Sequence, residues 1–339
     1  MIYLRIIVNN DIKVYNHVMI YKIRGDTVLS IHKTDANGTL RKINTIEHGC
    51  WINLVNPTED ESLFISNKLN IPLNFIKSAL DEEEGSRIEI EESSTLVIMD
   101  IPVTDIDDNS LTYETYPLAI IHTKDTIITV CLKDSKIVSD FTHGKIPSFY
   151  SFKRSRFMLQ ILFRVANYFL LYLRQINKKS ALVEKSLYKS VRNREIFQLL
   201  SLQKSLVYFS TSLKSNEITL EKLLKLEMLQ KYEEDKDLLE DVIIETRQAI
   251  EMCSIYSDVL SGTMDTFASI ISNNQNMVMK YLTSVTIVLS IPTLISGMFG
   301  MNLKGIPFEN TSYGFAIVGI LTLLITVVVA IILNKKDMF

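Results

Sequence analysis

Apolar and polar positions follow three different rhythms along this 339-residue chain. In the first 150 residues the apolar runs are short and β-branched. "YLRIIV", "TLVIMDI", "LAIIHT" and "TIITVCL" have strand length, and Pro57, Pro72, Pro102, Pro117 and Pro147 separate the pieces. Between the strands, "TEDESLFISNKLN" opens with Thr58 and carries Glu61 three residues on, which is the spacing of a capping box. "PLNFIKSALDEEE" predicts a second helix. The pattern predicts an α+β (α/β) domain over residues 1–150.

The rhythm changes near Phe152. "FMLQILFRVANYFLLYLRQINKKSALVEKSL" and "REIFQLLSLQKSLVYFSTSLKSN" place apolar residues at helical spacing with charges between them. Between Pro147 and Pro292 there is no proline, and Gly262 is the only glycine. Those residues cost about 3 and about 1 kcal/mol inside a helix, so their rarity predicts long helices over 151–280. From about Ile218 a helical pattern runs, with few interruptions, to the apolar segment near residue 281. A helix of about 80 residues would be roughly 120 Å long, a stalk rather than a globular element.

The third rhythm is almost purely apolar. Tyr281–Phe299 and Ser312–Leu333 are uncharged runs of 19 and 22 residues, and a bilayer core needs about 20. Residues 281–333 therefore read as a transmembrane hairpin, with spans at about 281–300 and 312–333 and a loop over 301–311. Lys280 precedes the first span, Lys335 and Lys336 follow the second within the tail 334–339, and the loop carries Lys304 against Glu309. Basic flanks on both ends orient the termini to the cytoplasm and the loop outward in a cell membrane.

The polar residues of the first span lie on one stripe. Thr286, Ser290, Thr293 and Gly297 are spaced 4, 3 and 4, and the same face continues back through Leu282, Met279 and Asn276. Small and hydroxylated residues of this kind pack helices together in membranes. The other reading is a pore lining, which a two-span chain can enclose only as a ring of copies with closed symmetry. Such a lining would offer hydroxyls, an amide and backbone carbonyls but no carboxylate. That suits a divalent cation that keeps its water, as Mg²⁺ does, and Leu282 with Met279 would form an apolar constriction.

Composition narrows the function classes. The chain is 47% apolar and 22% charged, with a net charge of −3 and a mean hydropathy of +0.16. It has no electrostatic footprint for nucleic acid. Cys50, Cys131 and Cys253 are far apart and read as reduced thiols. The five histidines are scattered, no phosphate loop or nucleophile elbow is present, and the chain reads as a non-enzyme. The acidic run "DEEEGSRIEIEESS" reads as solvated surface. The N-terminus reads as a strand and not as a signal peptide, so the N-terminal domain is expected to stay unexported.

The triplet Gly300-Met301-Asn302 closes the first span and resembles the signature of the CorA family of magnesium channels and transporters. "WINLVNPTEDE" is similar to that family's WxDLxNPTxxE stretch. "NMVMKYLT" and "IPTLISGMFGMN" resemble its entry to the first span and its approach to the triplet. The resemblance implies a homopentameric funnel, self-associated in the bilayer, with a cytoplasmic α/β domain and long stalk helices. It implies a pore lined by Asn276, Met279, Leu282, Thr286, Ser290, Thr293 and Gly297, and an outer mouth at Gly300, Met301 and Asn302. It implies transport of Mg²⁺ down the membrane potential, with Co²⁺ and Ni²⁺ as further candidates. Zn²⁺, proton-coupled, is the alternative from the related ZntB branch, and a non-conducting two-span sensor is the alternative from another class. Regulatory Mg²⁺ would be held by Asp241, with a partner among Asp105, Asp107 and Asp108 in the loop "VTDIDDNS", and by an acidic ring at Asp265. The chain departs from the family at Phe299, where Tyr is frequent, and at Ile244 and Glu245, where Asp and His are frequent.

Overall fold

The computed structural model describes residues 28–35, 37–91, 94–107, 110–189, 193–226, 232–301, 305–308, 312–336 and 338. The strand expected at "YLRIIV" lies outside them. Two compact units divide the chain, Met1–Ser261 and Gly262–Phe339.

Among the described residues of the first unit, seven strands form one mixed sheet. They are β1 (Val28–Thr34), β2 (Leu40–Ile43), β3 (Trp51–Val55), β4 (Arg87–Glu91), β5 (Ser94–Asp107), β6 (Ser110–Thr123) and β7 (Ile127–Cys131). Their order is β2-β1-β3-β7-β6-β5-β4, and the β3–β7 pair is parallel while the rest are antiparallel. β5 and β6 make a long hairpin, paired from Ser94 with Thr123 out to Asp107 with Ser110. Asp105 and Asp107 thus stand on a strand rather than in the loop that "VTDIDDNS" was expected to form.

The two-residue alternation of β3 assigns its faces. Ile52 and Leu54 pack with Leu96, Ile98, Ala119, Ile121, Ile128 and Val130 beneath α1 (Glu59–Leu69) and α2 (Leu73–Lys77), which contribute Ile65, Phe75 and Ile76. The start of α1 is set locally. Thr58 and Glu61 form a reciprocal capping box, and Asn56, at φ 45°, turns the chain between β3 and the cap. The family-like stretch "WINLVNPTEDE" is therefore a strand, a turn and a helix cap. The helix expected from "PLNFIKSALDEEE" stops early, at Lys77, and gives way to a 3-10 turn at Ser78–Leu80.

Trp51 points to the other face. Its ring meets Phe141, Phe149 and Phe157 edge-on, with centroids 5.1–6.4 Å away. Its indole N–H donates to Thr129 Oγ1 at 2.9 Å, and the Thr129 hydroxyl donates to Asn53 Oδ1 at 2.9 Å. This satisfies a polar chain in a fully desolvated place. α3 (Lys136–Thr142), α4 (Arg154–Lys189) and α5 (Asn193–Leu223) cover this face. The Asn216 side chain, on α5, accepts from the Asp100 N–H at 2.9 Å and donates to the Asp100 carbonyl at 2.8 Å, as a neighbouring strand would.

One long helix, α6 (Glu233–Phe299), contributes to both units, and α7 (Gly314–Lys335) completes the second. The helical pattern expected from Ile218, with few interruptions, falls into two helices. Ile218 belongs to α5, which ends at Leu223, and α6 begins ten residues later. The amides of Lys225 and Leu226 bond back to Lys222 and Leu223, closing α5 in a tight last turn.

A buried carboxylate ties α3 to α4. Asp140 accepts from Lys145 Nζ at 2.9 Å, from Tyr168 OH at 2.9 Å and from the Arg164 guanidinium. Burial opposes its ionisation, but these donors outweigh burial and hold the carboxyl below its ordinary range. Asp140→Ala leaves Arg164 without its acceptor and is expected to lower the unfolding free energy by about 3 kcal/mol. Because the folded pKa is depressed, this stabilisation is complete above the unfolded value of 3.8 and fades as pH falls through the folded one. Thermal melts of the full chain from pH 6 to pH 2 should show an acid-dependent decline that is reduced in Asp140→Asn.

Candidate functional site

Two helices are long and apolar enough to cross a membrane: α6, through its C-terminal part, and α7. The less exposed positions of each fall on one face. In α6 they are Ser284, Val285, Val288, Ile291, Pro292, Ile295 and Phe299; in α7 they are Val318, Thr322, Thr326, Val329, Ala330 and Leu333. The spacing of threes and fours marks the side on which each helix is covered.

The stripe read from the sequence lies on the opposite side of α6. Asn276, Met279, Leu282, Thr286, Ser290, Thr293 and Gly297 are all exposed, with Met279 and Leu282 at 54% and 57%. Among the described residues no element of the chain covers this face. Its three hydroxyls are already committed as donors. Thr286 donates to the Leu282 carbonyl at 2.8 Å, Ser290 to Ile287 at 2.8 Å and Thr293 to Leu289 at 3.0 Å. Each oxygen therefore turns only lone pairs outward. Pro292 has no N–H for the carbonyl four residues earlier, that of Val288, and both residues lie on the less exposed face.

At the end of the span, α6 closes with Gly300 N–H donating to Ser296 O at 2.9 Å. A Cβ on Gly300 would stand 3.1 Å from that same carbonyl oxygen, so a bare backbone suits the exit from the helix. Met301 follows as an exposed residue; Asn302 lies outside the described residues. The turn into α7 is tight. Phe308 has φ 70°, and a Cβ at Gly314 would fall 2.5 Å from the Phe308 carbonyl oxygen. Gly314 is thus fixed by the close approach of the loop.

The candidate regulatory acids are not gathered into one place. Asp241 and Asp265 are exposed on α6, and neither makes an ion pair among the described residues. Asp105 has a charge partner: Lys133 Nζ lies 2.9 Å from its Oδ2 and 2.6 Å from Tyr116 OH. The Tyr116 hydroxyl first, and Asp105 with it, push the Lys133 ammonium above its ordinary range and keep it charged. Asp107 lies on β5 with a side chain outside the described set, and Asp108 lies outside altogether. Among the described residues no three His, Cys, Asp or Glu side chains converge on a point that could hold a metal.

One residue escaped the sequence reading. Ser284 stands off the polar stripe and is 0% exposed. Its hydroxyl lies 2.7 Å from the carbonyl oxygen of Met338, 54 residues away. The sequence signal was a lone hydroxyl on the apolar side of the first span.

The family model described as CorA-like Mg²⁺ transporter protein matches residues 47–335. A cobalt/magnesium transport protein CorA of Methanocaldococcus jannaschii is 28% identical over 299 residues, covering 84% of this chain and 90% of its own. A magnesium transport protein CorA of Helicobacter pylori is 24% identical over 292 residues, covering 84% and 89%. The complete structure of the CorA magnesium transporter from Methanocaldococcus jannaschii superposes with a TM-score of 0.76 at 24% identity, covering 91% of this chain and 96% of that one.

Proposed function

The chain belongs to the CorA-like Mg²⁺ transporter family, whose members are transporters and not enzymes, and on that premise we propose that it is the subunit of a homopentameric channel carrying hydrated Mg²⁺ into the cytoplasm. The observation that carries this reading is the uncovered face of the first span. A hydrated cation presents water hydrogens outward. Thr286, Ser290 and Thr293, whose hydroxyl protons are bound to their own backbone, meet that shell with acceptors. The face holds no carboxylate to replace the shell, and Mg²⁺ releases water reluctantly. Two spans cannot surround a path, so several copies supply the ring.

Within this reading, Asn276, Met279 and Leu282 form the cytoplasmic end of the path, where the two apolar side chains close it by excluding water. Thr286, Ser290, Thr293 and Gly297 line the middle. Gly300 and Met301 shape the outer mouth, where Asn302 contacts the ion through its waters. The membrane potential drives entry: a divalent ion gains about 4.6 kcal/mol per 100 mV, twice the value for one charge. Cytoplasmic Mg²⁺ bound at Asp241 and Asp265 between neighbouring copies favours the closed state. Asp107 and Asp108 are the N-terminal candidates to complete the Asp241 site, and Asp105 would have to give up Lys133 to take part.

Proteoliposomes holding a Mg²⁺ dye should show uptake under an inside-negative potential. No flux from the wild-type chain would end the proposal. A panel of Mg²⁺, Co²⁺, Ni²⁺ and Zn²⁺ tests the ion, and preference for Zn²⁺ with dependence on a pH gradient would transfer the chain to the ZntB type of mechanism.

Asn302→Ala should lower Mg²⁺ flux roughly tenfold or more, the scale of a lost hydrogen bond to a charged group, with an unchanged melting curve. Leu282→Gly should raise flux at high internal Mg²⁺, where the wild type is closed; equal leak rates would remove the constriction. Asp241→Asn should shift Mg²⁺-dependent protection of α6 from protease to higher concentration, and superimposable curves would exclude Asp241 as a sensor.

A further inference from the structure

The end of the chain is fastened to the first span by one hydrogen bond. α7 ends at Lys335, and the chain turns back at once. The amides of Lys336 and Met338 both donate to the Leu333 carbonyl, at 3.1 and 3.2 Å. This turn brings the Met338 carbonyl to Ser284 Oγ at 2.7 Å. The alternative acceptor for the same proton, the Lys280 carbonyl one turn below, is at 2.9 Å. Thr286 and Thr293, by contrast, bond only within their own helix among the described residues. Phe267, Ser284, Gly314 and Leu333 are the buried described residues of the second unit, and Ser284 is the polar one. A carbonyl in such a place is costly without a donor, so the tail and the hydroxyl satisfy each other.

The position of Ser284 on the helix gives the contact its meaning. It is two residues from Leu282 and two from Thr286, which at about 100° per residue puts it roughly 160° around the helix from both. The back of the helix is held while the front carries the proposed constriction.

We propose that Ser284 is a positioning residue for conduction: by binding the Met338 carbonyl it fixes the rotation of the first span and keeps Met279 and Leu282 facing the path. This rests on the channel reading above. It adds the C-terminal tail as the part that holds the closed arrangement. Loss of the bond frees the span to rotate, and the constriction loosens.

Two variants remove the bond from opposite ends, Ser284→Ala and deletion of residues 338–339, and Ser284→Thr keeps the hydroxyl. In proteoliposomes at high internal Mg²⁺, each of the first two should raise flux about fivefold, the equivalent of about 1 kcal/mol for one hydrogen bond. Combining them should add nothing, because both act on one bond, and Ser284→Thr should restore wild-type flux. Wild-type flux in either variant, additive effects in the combination, or failure of Ser284→Thr to rescue would overturn the proposal. A second measurement does not need transport. In vesicles carrying Leu282→Cys, labelling by a charged maleimide should change several-fold when Ser284→Ala is added, and an unchanged rate would also overturn it. If the wild type conducts no Mg²⁺ while that labelling rate still changes, the channel reading fails and the tail contact stands.

Discussion

A hydroxyl proton in hydrocarbon must find an acceptor, and there is no water to supply one. That constraint governs the less exposed hydroxyls of the second unit, Ser284, Thr322 and Thr326, and the hydroxyls of the uncovered face make the same kind of intrahelical bond. Thr286, Ser290 and Thr293 turn their protons inward to carbonyls of their own helix, as do Thr322 and Thr326 on α7. The result is a helix that is internally satisfied yet presents lone pairs along one side. Among the described residues nothing else covers that side. The same requirement explains Ser284, whose buried oxygen serves a carbonyl that the end of α7 leaves without a helical partner.

The first unit meets the same requirement by different means, because its interior is protein rather than lipid. Trp51, Thr129 and Asn53 pass hydrogen bonds across the parallel β3–β7 pair, and Asn216 completes the backbone of Asp100 from a helix. Asp140 is ionised in a desolvated place only because three donors surround it. These contacts hold α3, α4 and α5 on the sheet. α6 then runs from Glu233 to Phe299 and carries both Asp241 and Leu282. In the proposed channel, a cation bound at Asp241 acts on the helix that also carries the constriction.

What the sequence made legible were features set by neighbours in the chain. The capping box at Thr58 and Glu61 depends on a spacing of three, and the structure forms it. The strands at "TLVIMDI", "LAIIHT" and "TIITVCL" follow from β-branched runs and lie in β5, β6 and β7. The stripe on the first span follows from helical geometry, and its exposure on the structure agrees with its spacing. The end of α5 was hidden, because Leu224, Lys225 and Leu226 all favour helix and neither Pro nor Gly stands among them. The pairing of Asp105 with Lys133 joins residues 28 apart in the chain, and that of Ser284 with Met338 joins residues 54 apart. No local spacing encodes either. The role of Asn302 came from resemblance alone.

A neutral lining also limits how such a path could choose among ions. Without carboxylates on its face, the first span cannot offset the loss of an ion's inner water shell, which costs far more than a few hydrogen bonds return. An ion that must shed its water would therefore face a barrier well above the roughly 4.6 kcal/mol that 100 mV supplies to a divalent charge. An ion that keeps its shell needs only acceptors at the right spacing, and Thr286, Ser290 and Thr293 provide one at nearly every turn. Discrimination in this arrangement comes from how firmly an ion holds water, so weak binding within the span and passage of strongly hydrated cations are two consequences of the same uncharged face.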